Sequence, residues 1–302
     1  MLGDKVTEIF VLVDDFCIDF EMEIRKHLLE NPSNRIRERK SKLSDSEIMS
    51  ILILFHYGQF SNFKSFYTYY ACVHMIDLFP GLVSYNRFVE LQKRVAVPLM
   101  LFLKHKGLGS STGISFVDST PLRVCHNRRI HQHKTFKGVA QRGQCSIGWF
   151  FGFKLHLIIN DKGEILSFYL TKANVDDRNF KVLKSLTENL FGKLFGDKGY
   201  ISQALSALLF GNGIQLVAKP RKNMKNQNIS ANDKILLRKR AIIECVNDEL
   251  KNLCKLEHTR HRSINNFLIN ILSGLSAYCF FPKKPSLNIE FEKQNGQLLL
   301  VA

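Results

Sequence analysis

The stretch FGFKLHLIINDKGEILSFYLT, residues 151–171, constrains the fold more than any other. Phe151, Phe153, Leu155, Leu157 and Ile159 alternate with Lys154 and His156, and a period of two belongs to a β-strand. NDKG is a turn sequence, and the apolar run EILSFYLT follows it. The region therefore reads as a hairpin. Before it, ISFVDST is a short β-rich run ending at Asp118. After it come a helix over about 179–190, a strand ending at Asp197, a helix from about 202, the strand IQLVAK and one long helix over about 232–257. This order predicts an α/β domain built on a mixed sheet with helices on its faces.

Residues 5 to about 105 read differently, as helices. Ser44 and Glu47 form a capping box ahead of Ile48, Leu52 and Phe55. A second helix is predicted over SNFKSFYTYYACVHMIDLF, ended by Pro80 and Gly81. Ser84 caps a third, which Pro98 should kink or interrupt. The capped helix carries Asn86 and Arg87 and suggests a helix-turn-helix-like DNA reader. RIRERKSK, Arg35 to Lys42, reads as a phosphate-tracking segment or as a solvated linker. The predicted boundaries are a helical region 1–108, an α/β domain 109–282 that includes a C-terminal docking helix, and an irregular tail 283–302.

Lys and Arg number 43 against 27 Asp and Glu, a formal charge of +16. Such an excess points to a polyanionic partner, nucleic acid first. The seven cysteines form no CxxC pair, which fits reduced thiols. No run approaches the length of a membrane span, and the N-terminus lacks signal-peptide order, so a cytoplasmic protein is expected.

In KLFGDKGY, Asp197 follows an apolar run and precedes Gly199. It reads either as a turn former or as a carboxylate at the edge of the sheet, where open α/β sheets place ligands. Asp118, ending another strand, can meet it there. On the last helix Arg240, Glu244, Asn247 and Lys251 share one face, and Ile242, Val246, Leu250 and Leu253 form another. Glu244 reads as a surface ion-pair partner of Arg240 or Lys251, or as a third acid. Converging carboxylates could hold Mg²⁺ or Mn²⁺, since oxygen ligands select these over zinc. Two such ions would serve phosphodiester chemistry.

The stretches FVDSTPLRVC, GWFFGFKLHLIIN, LFGDKGYIS and HTRHRSINNFLINILSGLSAYCFFPKKPS, in this order, resemble an insertion-sequence transposase of the Asp-Asp-Glu class. The chain looks closest to the insertion sequence 982 family. That resemblance implies a ribonuclease-H-like (retroviral-integrase-like) core and makes Asp118, Asp197 and Glu244 catalytic residues and metal ligands. It also implies binding to the terminal inverted repeats, cleavage at the element end with metal-activated water, and joining of the 3′-hydroxyl to target DNA by a homodimer or larger assembly. Related enzymes carry a Tyr, Arg, Glu, Lys series on the last helix. Here Arg240, Glu244 and Lys251 match, but Leu237 stands at the tyrosine position, and Glu249 is the alternative third acid. A nuclease that only hydrolyses nucleic acid, or a catalytically dead DNA-binding remnant, are the competing readings.

Other acids, cysteines and histidines compete with these. Asp14 and Asp15 lie in a helical pattern without a following hairpin, and Asp176 and Asp177 read as caps of the helix after them. Cys125, His126, His131, His133 and Cys145 match no zinc-finger spacing. Residues 123–150 read instead as a basic loop in which Arg128, Arg129, Lys134, Lys137 and Arg142 contact DNA phosphates. Arg240, Lys251, Arg260 and Arg262 are further DNA-binding candidates. Trp149 reads as core or as a base-stacking platform.

Overall fold

The computed structural model describes residues 3–30, 41–146, 148–220, 229–257, 261–287, 289–294 and 297–301. Most of RIRERKSK (35–40) and Arg260 lie outside them. Along the chain, α1 (Gly3–Glu30) and α2 (Asp45–Tyr57) are followed by α3 (Phe63–Ser65), a π-helical turn over Phe66–Ala71, and α4 (Cys72–His74). Next come α5 (Tyr85–Leu91), a 3-10 turn, and α6 (Ala96–Phe102). The α/β part holds β1 (Ile114–Cys125), β2 (Gln141–Cys145), β3 (Gly148–Asn160), β4 (Ile165–Lys172), α7 (Phe180–Leu186), β5 (Gly192–Gly196), α8 (Gln203–Gly211), β6 (Ile214–Ala218), α9 (Ala231–Lys239) and α10 (Ala241–Asn252). The chain ends with α11 (Ile264–Cys279), β7 (Glu290–Gln294) and β8 (Gln297–Val301).

Two compact units result. One comprises Met1–Gly107 with Leu250–Phe281, the other Leu108–Glu249 with Pro282–Ala302. In the first unit the described regular structure is helical. The predicted capping box is formed: Ser44 Oγ accepts from the Glu47 amide, and the Glu47 carboxylate accepts from the Ser44 amide. The second predicted helix stops at Met75, short of Pro80, because Met75 leaves helical backbone at φ −119°. Pro98 stands third in α6, where its missing N–H leaves no bond unmade; the interruption falls before it, in the 3-10 turn Gln92–Val95. Helix α11, expected to dock on the α/β domain, groups instead with the first unit. Phe267, Ile269, Ile271, Leu272, Leu275 and Tyr278 leave it apolar on nearly every side, and such a helix is buried within a bundle. Its Gly274 faces the Leu256 side chain closely, leaving no room for a larger residue. His56 bonds the Cys254 carbonyl in the same core.

The second unit is a mixed α/β structure with strand order β2-β3-β1-β5-β6, and β4 also pairs with β3. Strand β3 is antiparallel to β1, β2 and β4, whereas β1, β5 and β6 run parallel. The predicted hairpin is β3–β4, with Phe153 opposite Lys172 and Ile159 opposite Ile165. Its period of two places residues on opposite faces as expected, yet both faces are covered: His156 and Ile158 are as buried as Leu157. Val117, Ile158, Leu194, Tyr200 and the apolar side chains of α7 and α8 form the core on one face.

Four sequence expectations are corrected here. Strand β1 does not end at Asp118 but continues to Cys125, held by its antiparallel partner β3. The expected loop 123–150 contains β2, which adds to the first half of β3 while β4 adds to the second. The long last helix is broken at Arg240 into α9 and α10. Residues expected to form an irregular tail include the hairpin β7–β8, with Glu290 opposite Val301. Among the described residues, no helix is long and apolar enough to cross a membrane.

Candidate active site

The parallel pairing of β1 with β5 covers only Ile114↔Lys193, Ser115↔Leu194 and Phe116↔Phe195. Two residues beyond the last pair, on the two strands, stand Asp118 and Asp197. Alternation puts both on the face of Phe116 and Phe195, whose rings lie 5.6 Å apart. Beyond this level β5 ends at Gly196 while β1 runs on, so the sheet opens beside Asp118. Gly196 sits in a tight place, since a Cβ there would meet Val117 and Tyr200 side-chain atoms at 3.2–3.3 Å.

Asp197 caps the short 3-10 turn Lys198–Tyr200, accepting from the Lys198 amide at 2.7 Å, and is exposed. Both sequence readings of KLFGDKGY therefore describe it: it is a turn former, and it stands at the carboxyl end of a strand. Asp118 is more enclosed, half-buried beside α10. Burial pushes its carboxyl up from 3.8 to about 6, against the pull of Arg240 and of its bond from the Ser119 backbone, while Glu244 and Asp177 push it further upward. Asn247 of α10, only 6% exposed, donates from Nδ2 to Asp118 Oδ2 at 3.2 Å.

Helix α10 meets this face through Asn247, and its Ile242, Ile243 and Val246 are buried. Glu244 lies one turn before Asn247, with its side chain 58% exposed and accepting from Arg240 Nη2 at 2.5 Å. The surface-pair reading of Glu244 thus describes its contact, although its charge still acts on Asp118. Arg240 Nη1 and Asn247 Oδ1 are buried without hydrogen-bond partners. Glu249 is turned elsewhere: burial and Asp248 raise its carboxyl, and Lys284 is the cation that acts on it. Among the described residues, no three His, Cys, Asp or Glu side chains lie close enough together to hold a metal. Each acid is instead taken up separately, Asp197 by the Lys198 amide, Glu244 by Arg240 and Asp118 by Asn247.

The opposite face carries a polar cluster that sequence reasoning missed. Asp177 accepts from Ser119 Oγ at 2.8 Å and from Lys154 Nζ at 3.0 Å, and its Oδ1 is 3.9 Å from His156 Nδ1. Asp176 and Asp177 do not cap α7. Asn179 does, while Asp176 pairs with Arg178, which draws its carboxyl down to about 2. Burial lowers His156 to about 4, so the ring is neutral at pH 7 and pairs with Thr171 Oγ1 at 2.9 Å. The Tyr200 hydroxyl is raised by burial, and Asp118 and Asp177 add to this. The available signal was Lys154 and His156 on one side of an otherwise apolar strand, where a covered ammonium needs an acceptor.

Of the DNA-contact candidates, Arg128, Arg129, Lys134, Lys137, Arg142 and Arg262 are exposed. Arg142 lies 5.5 Å from the Trp149 ring, and Trp149 is 54% exposed rather than core. Arg240 is mostly covered and Lys251 stands 3.9 Å from Glu257, so neither is a free surface cation.

No curated protein matches the chain. It is similar, distantly, to the piggyBac transposase in a cryo-EM synaptic complex with hairpin DNA: 10% identity, TM-score 0.46, with 83% of this chain and 68% of that chain covered. A likeness at that level carries no argument. Residues 108–264, over half of the 302-residue chain, match the family described as Transposase DDE domain. This span contains Asp118, Asp197 and Glu244, and on that match the chain belongs to the DDE transposase family.

Proposed function

We propose that the protein is the transposase of an insertion sequence, closest to the insertion sequence 982 family, that it binds the terminal inverted repeats, cuts the strand at the element end and joins the freed 3′-hydroxyl to target DNA. The carrying observation is the register that sets Asp118 and Asp197 at one level where β1 and β5 part, with α10 alongside. In support of a ribonuclease-H-like core, β3 alone of β4-β3-β1-β5-β6 runs against the other four strands.

Asp118, Asp197 and Glu244 are the residues that would hold the divalent ions, two Mg²⁺ or Mn²⁺. The donor chemistry fits: all are oxygen ligands, and the half-buried Asp118 carboxylate has an unpartnered amide oxygen beside it. Bound there, the ions would activate the attacking oxygen and stabilise charge on the leaving one. Arg240 draws Asp118 toward its ionised form and orients Glu244. The exposed Arg128, Arg129, Lys134, Lys137 and Arg142 would grip phosphates, and the helical region 1–108 would read the element end. A homodimer or larger assembly would hold two ends together, acting in the cytoplasm.

A strand-transfer assay with Mg²⁺ and pre-cleaved DNA carrying the flanking repeat tests this reading. Joined products are expected from the wild type and none from Asp197→Asn. Cleavage without joining would replace the transposase by a nuclease, and binding without either reaction by an inactive DNA-binding remnant.

A further inference from the structure

We propose that Asn247 belongs to the metal site, its Oδ1 serving as an oxygen ligand to the cation beside Asp118 while its Nδ2 holds the Asp118 carboxylate in place. The inference rests on the reading of Asp118 as a metal ligand. It assigns a role to a residue outside the three acids.

Three observations lead to it. The side chain of α10 that touches Asp118 is Asn247, at 3.2 Å, whereas Glu244 is exposed and held by Arg240. Asn247 is 6% exposed, so its amide has little access to water. Its Oδ1 is buried without a hydrogen-bond partner, so the acceptor has lost its water with nothing in exchange. Buried polar atoms are nearly always satisfied, so an orphan next to a carboxylate calls for a cationic or donor partner. The amide must turn its nitrogen toward the Asp118 carboxylate, which leaves the oxygen for that partner. A neutral oxygen ligand suits a hard divalent cation, for which carboxylates and amide carbonyls are ordinary ligands.

The test is calorimetric titration of Mn²⁺ into the full-length protein without DNA, with melting curves recorded with and without the ion. Asn247→Ala should weaken Mn²⁺ binding by about tenfold or more. Asn247→Asp should bind Mn²⁺ at least as tightly as wild type, because it keeps the ligating oxygen. Without metal it should melt below wild type, as two carboxylates then face each other, and Mn²⁺ should raise its melting point by more than that of wild type. A residue that merely donates a hydrogen bond predicts the reverse for Asn247→Asp, which loses the donor. Equal weakening in both variants, or unchanged binding in Asn247→Ala, overturns the assignment. Should Asn247→Ala not fold, the Asn247→Asp titration decides alone, weaker binding being the refuting result. Asp118→Asn separates the two levels: if it binds Mn²⁺ like wild type, the metal reading of Asp118 falls and this assignment with it. If it loses binding while Asn247→Ala does not, only the role of Asn247 falls.

Discussion

Asp118→Asn should make the metal-free protein more stable, by an amount that depends on pH. Burial raises the Asp118 carboxyl from 3.8 to about 6, a shift of about 2 units or about 3 kcal/mol at 1.36 kcal/mol per unit. The folded state holds this proton more tightly than the unfolded one, so the stabilisation is present below about 4 and is lost as pH rises through about 6. At pH 8 the folded chain carries an ionised, desolvated carboxylate that Asn247 and Arg240 offset only in part. Asparagine has nearly the same shape and no charge. The variant should therefore exceed wild type by about 3 kcal/mol at pH 8, with the gap closing toward pH 4.

Denaturant unfolding of both proteins in EDTA, at several pH values from 8 to 4.5, measures that gap. Burial lowers His56, His156 and His261 to about 4. Their contribution runs the other way, present above about 6.5 and lost as pH falls through 4. Since both proteins share these histidines, the difference between them isolates Asp118. Saturating Mg²⁺ should then stabilise only wild type, by about 2.7 kcal/mol at a hundredfold excess over Kd. A variant no more stable than wild type at pH 8, or a gap that does not change with pH, refutes the argument that desolvation dominates this carboxyl.

Other perturbations follow from the same geometry. Replacing Arg128 and Arg129 by Ala should weaken DNA binding and flatten the slope of log K against log salt by roughly 2, one phosphate contact being worth about 0.9; an unchanged slope removes this turn from the interface. Asp177→Ala takes the carboxylate from the Lys154 ammonium, whose side chain is 12% exposed and which keeps the Val175 carbonyl, and should cost about 1–3 kcal/mol in unfolding experiments. Adding Lys154→Met should recover most of that loss, and a purely additive double variant would argue against the pairing. Gly152→Ala forces a Cβ onto the Leu122 carbonyl in the middle of the sheet and should destabilise by about 3 kcal/mol or more, read as a lowered melting temperature; a neutral substitution would mean that β1 can shift there.

Periodicity made part of this fold legible. The β3–β4 hairpin follows from alternating Phe and Leu residues and a four-residue turn, and α2 from Ser44, Glu47 and the apolar run behind them. These signals are local, so one stretch of chain carries them whole. Strand β2 was missed because QRGQC has no apolar alternation and is a strand only because β3 offers it an open edge. The destination of α11 was missed for a related reason: its apolar surface says that it is buried, not where. The acids show the same division. Apolar runs ending in carboxylates picked out Asp118 and Asp197, but the contacts of Asp118 with Asn247, and of Asp177 with Ser119 and Lys154, join residues far apart in sequence. Spacing on α10 placed Arg240, Glu244 and Asn247 on one face, yet could not say which of them reaches the sheet.

The position of Asp118 follows from the unequal partners of β1. Along β3 it is paired from Ser115 to Cys125, whereas along β5 it is paired for three residues only. Past Phe116 one side of β1 is thus held rigidly by the hairpin while the other has no strand against it. A carboxylate at that point can be buried against α10 and still face an opening, which raises its proton affinity without sealing it off. One residue further, Ser119 points to the other face and is tied to Asp177, so the backbone beneath Asp118 is anchored from behind. Anchoring of this kind holds the carboxylate in place while its own neighbours, Asn247 and Arg240, keep an oxygen and a guanidinium nitrogen unspent. On the proposed reading, a cation would bind there with little rearrangement of the sheet and would offset the charge of the desolvated carboxylate.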